Sequence, residues 1–442
     1  MWQKLKVDFD RLTLLKYGWP VALGLFLIPI DSFPYFPIDS AYRPLWIFPF
    51  CYIAIVSFFK KFTFIKFEKY LLLIIIALYI QALISYYYFD YEDNKGIIKT
   101  TFILPLLYLS LSGIYRGLDP LFKKYRSLGA LVIITSIFQL NFLFIALLGF
   151  LQLFLLIIGI DSFNESIAQI FSYRFVPGRI HLTSGEPSWA ARYLIFVGIF
   201  SILFGRRYVN KFVIPMIIIL IIGTASVMSF LTILFLTFMY SWFYSSSKIK
   251  FTMKIILILF SMVIFLNYYE YIFGFSEYAS DKINKVITLI KVIDFGTLMA
   301  LASVDGSVLA RLLNPIIAFN LGMIYPFGIG SDSFRYFYLD ALNNLGYDGT
   351  SSEEYLLGAG STPKFLFAKV FLECGWLFFS LFLYWLSKFI LGSSKLKDIN
   401  MRFLVVCIIP LTFSDDSYLF YGLLIPIVLA MLSRSDQIDN LK

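Results

Sequence analysis

The chain has 442 residues, of which 60% are hydrophobic, 20% aromatic and 15% charged, with a mean hydropathy of +0.80. A soluble domain carries about 25% charge, so this apolar excess is more than one water-soluble core would bury, and lipid is the natural solvent. The net charge of +9 comes without a stripe of basic residues interleaved with stacking aromatics, which argues against a nucleic-acid partner and for Lys and Arg anchoring cytoplasmic loops.

The first apolar stretch, Trp19 to Ile30, follows Lys4, Lys6, Arg11 and Lys16 and ends without a small-residue cleavage site, so it is expected as a retained span near 18–30. Further spans are predicted near 44–59, 70–89, 97–114, 128–160, 189–204, 212–223, 226–244, 253–270, 365–390, 402–413 and 417–433. The run from Leu128 to Ile160 suits one long tilted helix or a hairpin turning at Gln139 and Asn141, polar residues that otherwise bond neighbouring helices. The run 212–244 has a polar middle at Gly223-Thr224-Ala225-Ser226, and the last run is broken by Ser414-Asp415-Asp416-Ser417.

Basic loops arbitrate. Lys60, Lys61, Lys66 and Lys69 mark one, Arg116, Lys123, Lys124 and Arg126 the next, with others at Arg206–Lys211, Lys248–Lys254 and Lys388–Arg402. All face one side only if 128–160 crosses once and 212–244 twice. The expectation is an all-α, polytopic protein of about twelve transmembrane helices, one integral membrane domain over 1–442 with both termini cytoplasmic. Two segments are left outside, 161–188 and 271–364. The second is too long to be structureless and is expected to fold against the membrane. Within it Ile283–Leu301 reads as lying in the interface plane, and Asn343–Thr362 as a flexible loop. No internal repeat is visible.

The cysteines Cys51, Cys374 and Cys407 form no CxxC pair, and His181 is the single histidine, so neither a zinc site nor a disulfide framework is expected. The candidate chemistry lies outside the membrane. Arg174, Arg179, His181, Glu186 and Arg192 fall close together in sequence, and Ser184 and Pro187 suit the start of the next helix, an anion-favouring position. Such arginines can bind lipid headgroups and Glu186 can simply stabilise the helix start, yet positive-inside logic disfavours so many arginines there without a task such as gripping a diphosphate. In the larger segment Arg311 sits in a mostly apolar run and needs an anionic partner, from protein or ligand. Arg335 follows the Gly328/Gly330 turn, where a structural role is the simpler reading. Thr224, Ser226 and Ser229 suit tight helix packing, and Asp415 and Asp416 a solvated turn.

Four motifs carry a resemblance: Arg179 followed by Glu186-Pro187-Ser188; Thr224-Ala225-Ser226; Arg311 followed by Pro326-Phe327-Gly328-Ile329-Gly330; and Glu373-Cys374-Gly375. With the span layout and the late outside segment, the chain resembles bacterial O-antigen and capsule repeat-unit polymerases of the Wzy type, related to the O-antigen ligases. It departs from them in lacking an Arg after the Ser/Thr break, and from ligases in having Pro363 and Lys364 where a His is usual. The resemblance implies a fold like the GT-C class B glycosyltransferases, in the bacterial cytoplasmic membrane with the active site facing outward. It implies inverting transfer between a polyprenyl-diphosphate-linked oligosaccharide donor and acceptor, with no metal and no cofactor, membrane lipid as surroundings and a chain-length regulator as a candidate partner. Arg174, Arg179, Arg192, Arg311 and Arg335 would hold the diphosphate, with Arg311 also catalytic, and Glu186 or His181 would take the acceptor proton. The rivals are an O-antigen ligase and a multi-span lipid-linked oligosaccharide flippase or other transporter; transporters tend to show repeats and mid-membrane charges, neither of which is evident here.

Overall fold

The computed structural model describes residues 18–34, 43–60, 64–91, 95–172, 175–224, 226–244, 313–344, 362–391, 399–412 and 417–439. Among them the chain is all-α, and four helices are long and apolar enough to cross a membrane: Lys66–Phe89, Gly96–Ile157, Pro187–Phe204 and Leu366–Tyr384. Arg174, Arg311, Asp415, Asp416, the predicted span 253–270 and the interfacial segment 283–301 lie outside the described residues.

The helices run α1 Trp19–Phe26, α2 Ile47–Lys60, α3 Lys66–Phe89, α4 Lys95–Ile157, α5 Asp161–Phe171, α6 Pro187–Phe204 and α7 Arg207–Gly223. They continue with α8 Val227–Tyr244, α9 Asn314–Ile324, α10 Phe334–Asn344, α11 Leu366–Leu391, α12 Ile399–Val406, α13 Ile408–Leu411 and α14 Tyr421–Asp439. Several predicted spans change shape. The first, at 18–30, is helical only over Trp19–Phe26 and turns at Leu27. The predicted spans 97–114 and 128–160 are two limbs of α4, separated by Arg126 at φ 59, ψ 171; the basic stretch between them is itself helical. The second limb does not turn at Gln139 or Asn141. Gln139 instead donates to Ser201 Oγ (3.1 Å) and Asn210 Oδ1 (2.9 Å), and Asn141 donates to the Phe26 carbonyl (2.9 Å). Cys407 divides the predicted span 402–413 into α12 and α13. The polar break near Thr224 does part α7 from α8.

α6 is the centre of the bundle. Nearly all its residues are buried, and it is apolar around its whole circumference, as a helix enclosed by protein must be. Phe196 and Phe200 meet Phe138 of α4, and Phe196 also meets Tyr421 of α14. α3 is the opposite case: Leu73, Ile74, Ile80 and Ile84 stand exposed along it. An exposed apolar face of this kind suits lipid contact, and the helices together suit a membrane-embedded protein.

Candidate functional site

The segment Val176–Glu186 links α5 to α6, and instead of looping through open space it threads between helices. Arg179, His181 and Arg192 are buried to 6%, 1% and 4% exposure. Leu182 holds a left-handed backbone, φ 55, which a bulky side chain rarely adopts. Gln152 of α4 holds it there. Its Oε1 accepts the His181 N–H (3.1 Å) and the Leu182 N–H (2.8 Å), and its Nε2 donates to the Leu182 carbonyl (3.1 Å). A strained backbone fixed by three hydrogen bonds from one side chain marks a position where geometry matters.

Two further walls complete the cluster. On one side, Arg179 Nε donates to the Thr224 carbonyl at 2.7 Å, and the Ile180 N–H to the Gly223 carbonyl at 3.3 Å. The small-residue break thus serves as the acceptor for a buried guanidinium, an arrangement its sequence reading as mere helix packing missed. On the other side, the corner after α1 reaches in: Thr183 and Ser184 hydroxyls donate to the Pro29 carbonyl, and the Gly185 N–H donates to Asp31 Oδ1 (3.2 Å). Ser184 therefore does not cap α6. Glu186 is the N-cap residue, extended at φ −135, ψ 142, with Pro187 in the first turn as expected. Glu186 accepts from the Ser188 hydroxyl (3.2 Å) and is half-buried.

Arg192 lies one turn further into α6, its guanidinium carbon 5.5 Å from the Phe420 ring centroid and 6.0 Å from that of Trp189, within cation–π range. His181 packs on Phe175 and its Nε2 is engaged with the Val176 backbone. Burial, with the Arg179 charge adding to it, pushes the imidazole down to about 4, so it is neutral at pH 7. Arg179, His181 and Glu186 thus lie close together on one segment, and Arg192 is buried separately within α6, against Trp189 and Phe420. Asp31 and Gln152, buried and bonded to the same segment, were missed. Asp31 reads in sequence only as the end of an apolar run, and Gln152 as one polar residue on a lipid-length helix.

Arg335 belongs to a second cluster. Its guanidinium carbon sits 4.8 Å over the Tyr336 ring, and Tyr336 stacks on Tyr91 at 4.8 Å. Here the two glycine motifs meet. The Ile329 N–H bonds to the Leu372 carbonyl, the Gly330 N–H to the Glu373 carbonyl, and the Trp376 N–H to the Pro326 carbonyl. α11 is kinked at Gly375, φ 78, and Gly328 lies against the kink at φ 80. Glu373 is buried. Its carboxylate accepts from the Asp332 N–H (2.9 Å) and the Tyr418 hydroxyl (2.7 Å), with Lys369 Nζ at 3.9 Å. Asp332 in turn pairs with Lys99 at 2.6 Å. Gln81 of α3 donates to the Phe327 and Glu373 carbonyls, both at 2.9 Å. The turn before α14 touches both clusters, Tyr418 on Glu373 and Phe420 on Arg192.

Among the described residues, no three His, Cys, Asp or Glu side chains come together as a metal-ion site. Comparison with protein-family models, with curated proteins and with solved structures finds no match.

Proposed function

We propose that this protein is a membrane glycosyltransferase that polymerises polyprenyl-diphosphate-linked oligosaccharide repeats into surface polysaccharide on the outer face of the bacterial cytoplasmic membrane. The observation that carries the reading is the burial of two guanidiniums close together in sequence, Arg179 on the segment that leads into the central helix and Arg192 within that helix. Buried guanidiniums at a helix start favour an anion, and a diphosphate leaving group is the anion this transfer generates. The four motifs quoted for the family resemblance add to it, since they fall into these two clusters as far as they are described.

In this mechanism an acceptor hydroxyl attacks the anomeric carbon of the donor sugar from the face opposite the diphosphate. The C–O bond to the polyprenyl diphosphate breaks, the leaving group keeps the electron pair, and the new glycosidic bond is inverted. Arg179 and Arg192 stabilise the charge that develops on the diphosphate. Arg174 and Arg311 remain further cationic candidates for the same task, whereas Arg335 lies with the second cluster. Glu186 takes the proton in preference to His181: it is partly exposed, while His181 is buried and bonded to its own loop.

The test is the length of envelope polysaccharide on a gel, in a deletion strain complemented with wild type or Arg179→Ala at equal membrane levels. Single attached repeats in the deletion, a ladder with wild type and no ladder with the variant support polymerisation. Loss of all attached sugar points to a ligase or flippase, and a ladder that survives deletion ends the reading.

A further inference from the structure

Between Arg311 and Asp332 the sequence holds no charged residue. Over this stretch α9 runs beside α11 in the same direction. Asn314 donates to the Thr362 carbonyl just ahead of α11, Phe319 meets Phe365 and Phe371, and the Trp376 indole donates to the Gly322 carbonyl at 2.6 Å. The chain then turns at Pro326–Gly330 and returns along α3. The Phe327 carbonyl accepts from Gln81 and the Gly328 carbonyl from Ser85, after which Asp332 pairs with Lys99 near the start of α4. Both ends of this hairpin therefore lie on one side, where α3 ends and α4 and α11 begin. Its turn lies deeper. Gln81 is about 12 Å of helix before Phe89, the end of α3, and Trp376 about 15 Å after Leu366, the start of α11.

α3 and α11 are both long and apolar enough to cross a membrane. We infer that 314–331 is a re-entrant hairpin, which dips into the bilayer between them and turns back within it, its tip against lipid acyl chains. Two independent observations carry this. The first is the backbone. Irregular peptide groups persist at membrane depth only where protein satisfies them. Gln81, Ser85 and Tyr91 donate to the Phe327, Gly328 and Ile329 carbonyls. The Ile329 and Gly330 N–H groups bond to the Leu372 and Glu373 carbonyls, and the Pro326 carbonyl accepts the Trp376 N–H. A turn in water has no need of such partners, since water itself would serve. The second is the surface. α9 buries Ile317, Ala318 and Leu321 and presents Ile316, Met323 and Ile324 outward, with Asn320 the one polar side chain on that face. Phe327, at the turn, is 86% exposed. Ile80 and Ile84 of α3 and Leu377 of α11, near the same level, are exposed as well. An apolar tip flanked by the open faces of two lipid-length helices suits hydrocarbon and not water. Of the segment 271–364, expected to lie outside, this part is then within the membrane.

The hairpin rests on membrane embedding alone and not on the glycosyl-transfer reading. It is tested with the full chain in lipid nanodiscs, with Cys51, Cys374 and Cys407 replaced by alanine and a nitroxide attached at Phe327→Cys or Ile324→Cys. Collisions with oxygen, which concentrates in hydrocarbon, and with a water-soluble nickel chelate report the surroundings of each label. Ile80→Cys on α3 is the reference for lipid, and Lys123→Cys, exposed in the basic stretch of α4, the reference for water. Both tip labels are expected to match Ile80→Cys, with oxygen collisions exceeding nickel collisions. Labels that match Lys123→Cys put the tip in water and overturn the hairpin. Labels that neither reagent reaches show that protein covers the tip, a second copy of this chain included, and overturn the lipid contact. Phe327→Trp, in the chain with its own cysteines, is the independent measure. Its added fluorescence is expected to be quenched by lipid brominated on the acyl chains and not by acrylamide; the converse overturns the placement.

Discussion

Arg116 holds Glu68 with two guanidinium hydrogen bonds, Nε to one carboxylate oxygen and Nη2 to the other, the latter at 2.6 Å. The Ser112 hydroxyl and the Ile65 N–H complete the set. A carboxylate fully enclosed by protein thereby has four donors, and the first turn of α3 is tied to the first limb of α4. Phe58 of α2 lies 4.6 Å from the same guanidinium, so three helices meet at one charge pair.

Removing one partner leaves the other charge buried. Arg116→Ala is expected to cost about 3–5 kcal/mol, against a near-neutral outcome when both residues become apolar, as in Glu68→Leu with Arg116→Met. Reversible unfolding in mixed micelles measures both. A single variant within about 0.5 kcal/mol of wild type, the range of ordinary surface changes, would count against the clamp.

His181 makes stability depend on pH. Its ordinary value is 6.5, and in the folded chain it is pushed down to about 4. Between those two values the unfolded chain binds a proton that the folded chain refuses. The contribution is therefore complete above pH 6.5 and falls as pH drops towards 4, by on the order of 3 kcal/mol. His181→Gln should flatten this part of the curve, seen as the difference between the two proteins' unfolding free energies at pH 7 and pH 4.5. Parallel curves would show that the imidazole is free to charge in the fold.

Gln152 is expected to matter more than a helix-face glutamine should. Gln152→Ala strips the partners from two N–H groups and one carbonyl in a dry segment, at about 1–3 kcal/mol for each group left unsatisfied. Gln152→Glu places a carboxylate against the Leu182 carbonyl with no cation partner, so it should cost at least as much. Hydrogen exchange at the His181 and Leu182 amides is the sensitive readout; protection unchanged in Gln152→Ala would place the strain elsewhere.

Gly328 and Gly375 are expected to fail together. A Cβ on Gly328 would stand 2.5 Å from the Glu373 carbonyl oxygen, and one on Gly375 2.5 Å from the Pro326 carbonyl oxygen. Both are also held at positive φ, which alone costs a side chain on the order of 1–3 kcal/mol. Each alanine variant should lower the midpoint of thermal unfolding, with the double variant well short of the sum, because the first substitution already parts the two backbones. Strict additivity would mean that the two glycines act independently.

Much of the helical layout could be read from apolar length and punctuation. The Pro187 start of α6 and the break at Thr224 follow from local chemistry that a single sequence displays. Other boundaries did not, because tertiary contacts override local pattern. The basic run before Arg126 looks like a loop, yet it continues the helix, with Arg116 drawn inward by Glu68 rather than outward by water. Ser184 looks like a cap, yet its hydroxyl goes to Pro29, a residue far away in sequence. The site was legible as a cluster of charges, but its supports were not. Gln152 and Asp31 bond backbone groups far away in sequence, and Thr224 offers its carbonyl, pairings that leave no residue-type signature. The joining of Pro326–Gly330 to Glu373–Gly375 likewise could be named as two motifs but not seen as one contact.

The central position of α6 has a consequence for biogenesis. Arg192 is covered by Phe420, and Phe196 by Tyr421, both supplied by the end of the chain. During synthesis α6 is made long before those residues leave the ribosome. For that interval its guanidinium must be sheltered by earlier helices, by water or by an insertion chaperone. A chain halted before residue 417 therefore lacks the Phe420 ring beside Arg192 and the Tyr421 ring against Phe196, a gap in the packing of the kind that membrane proteases recognise.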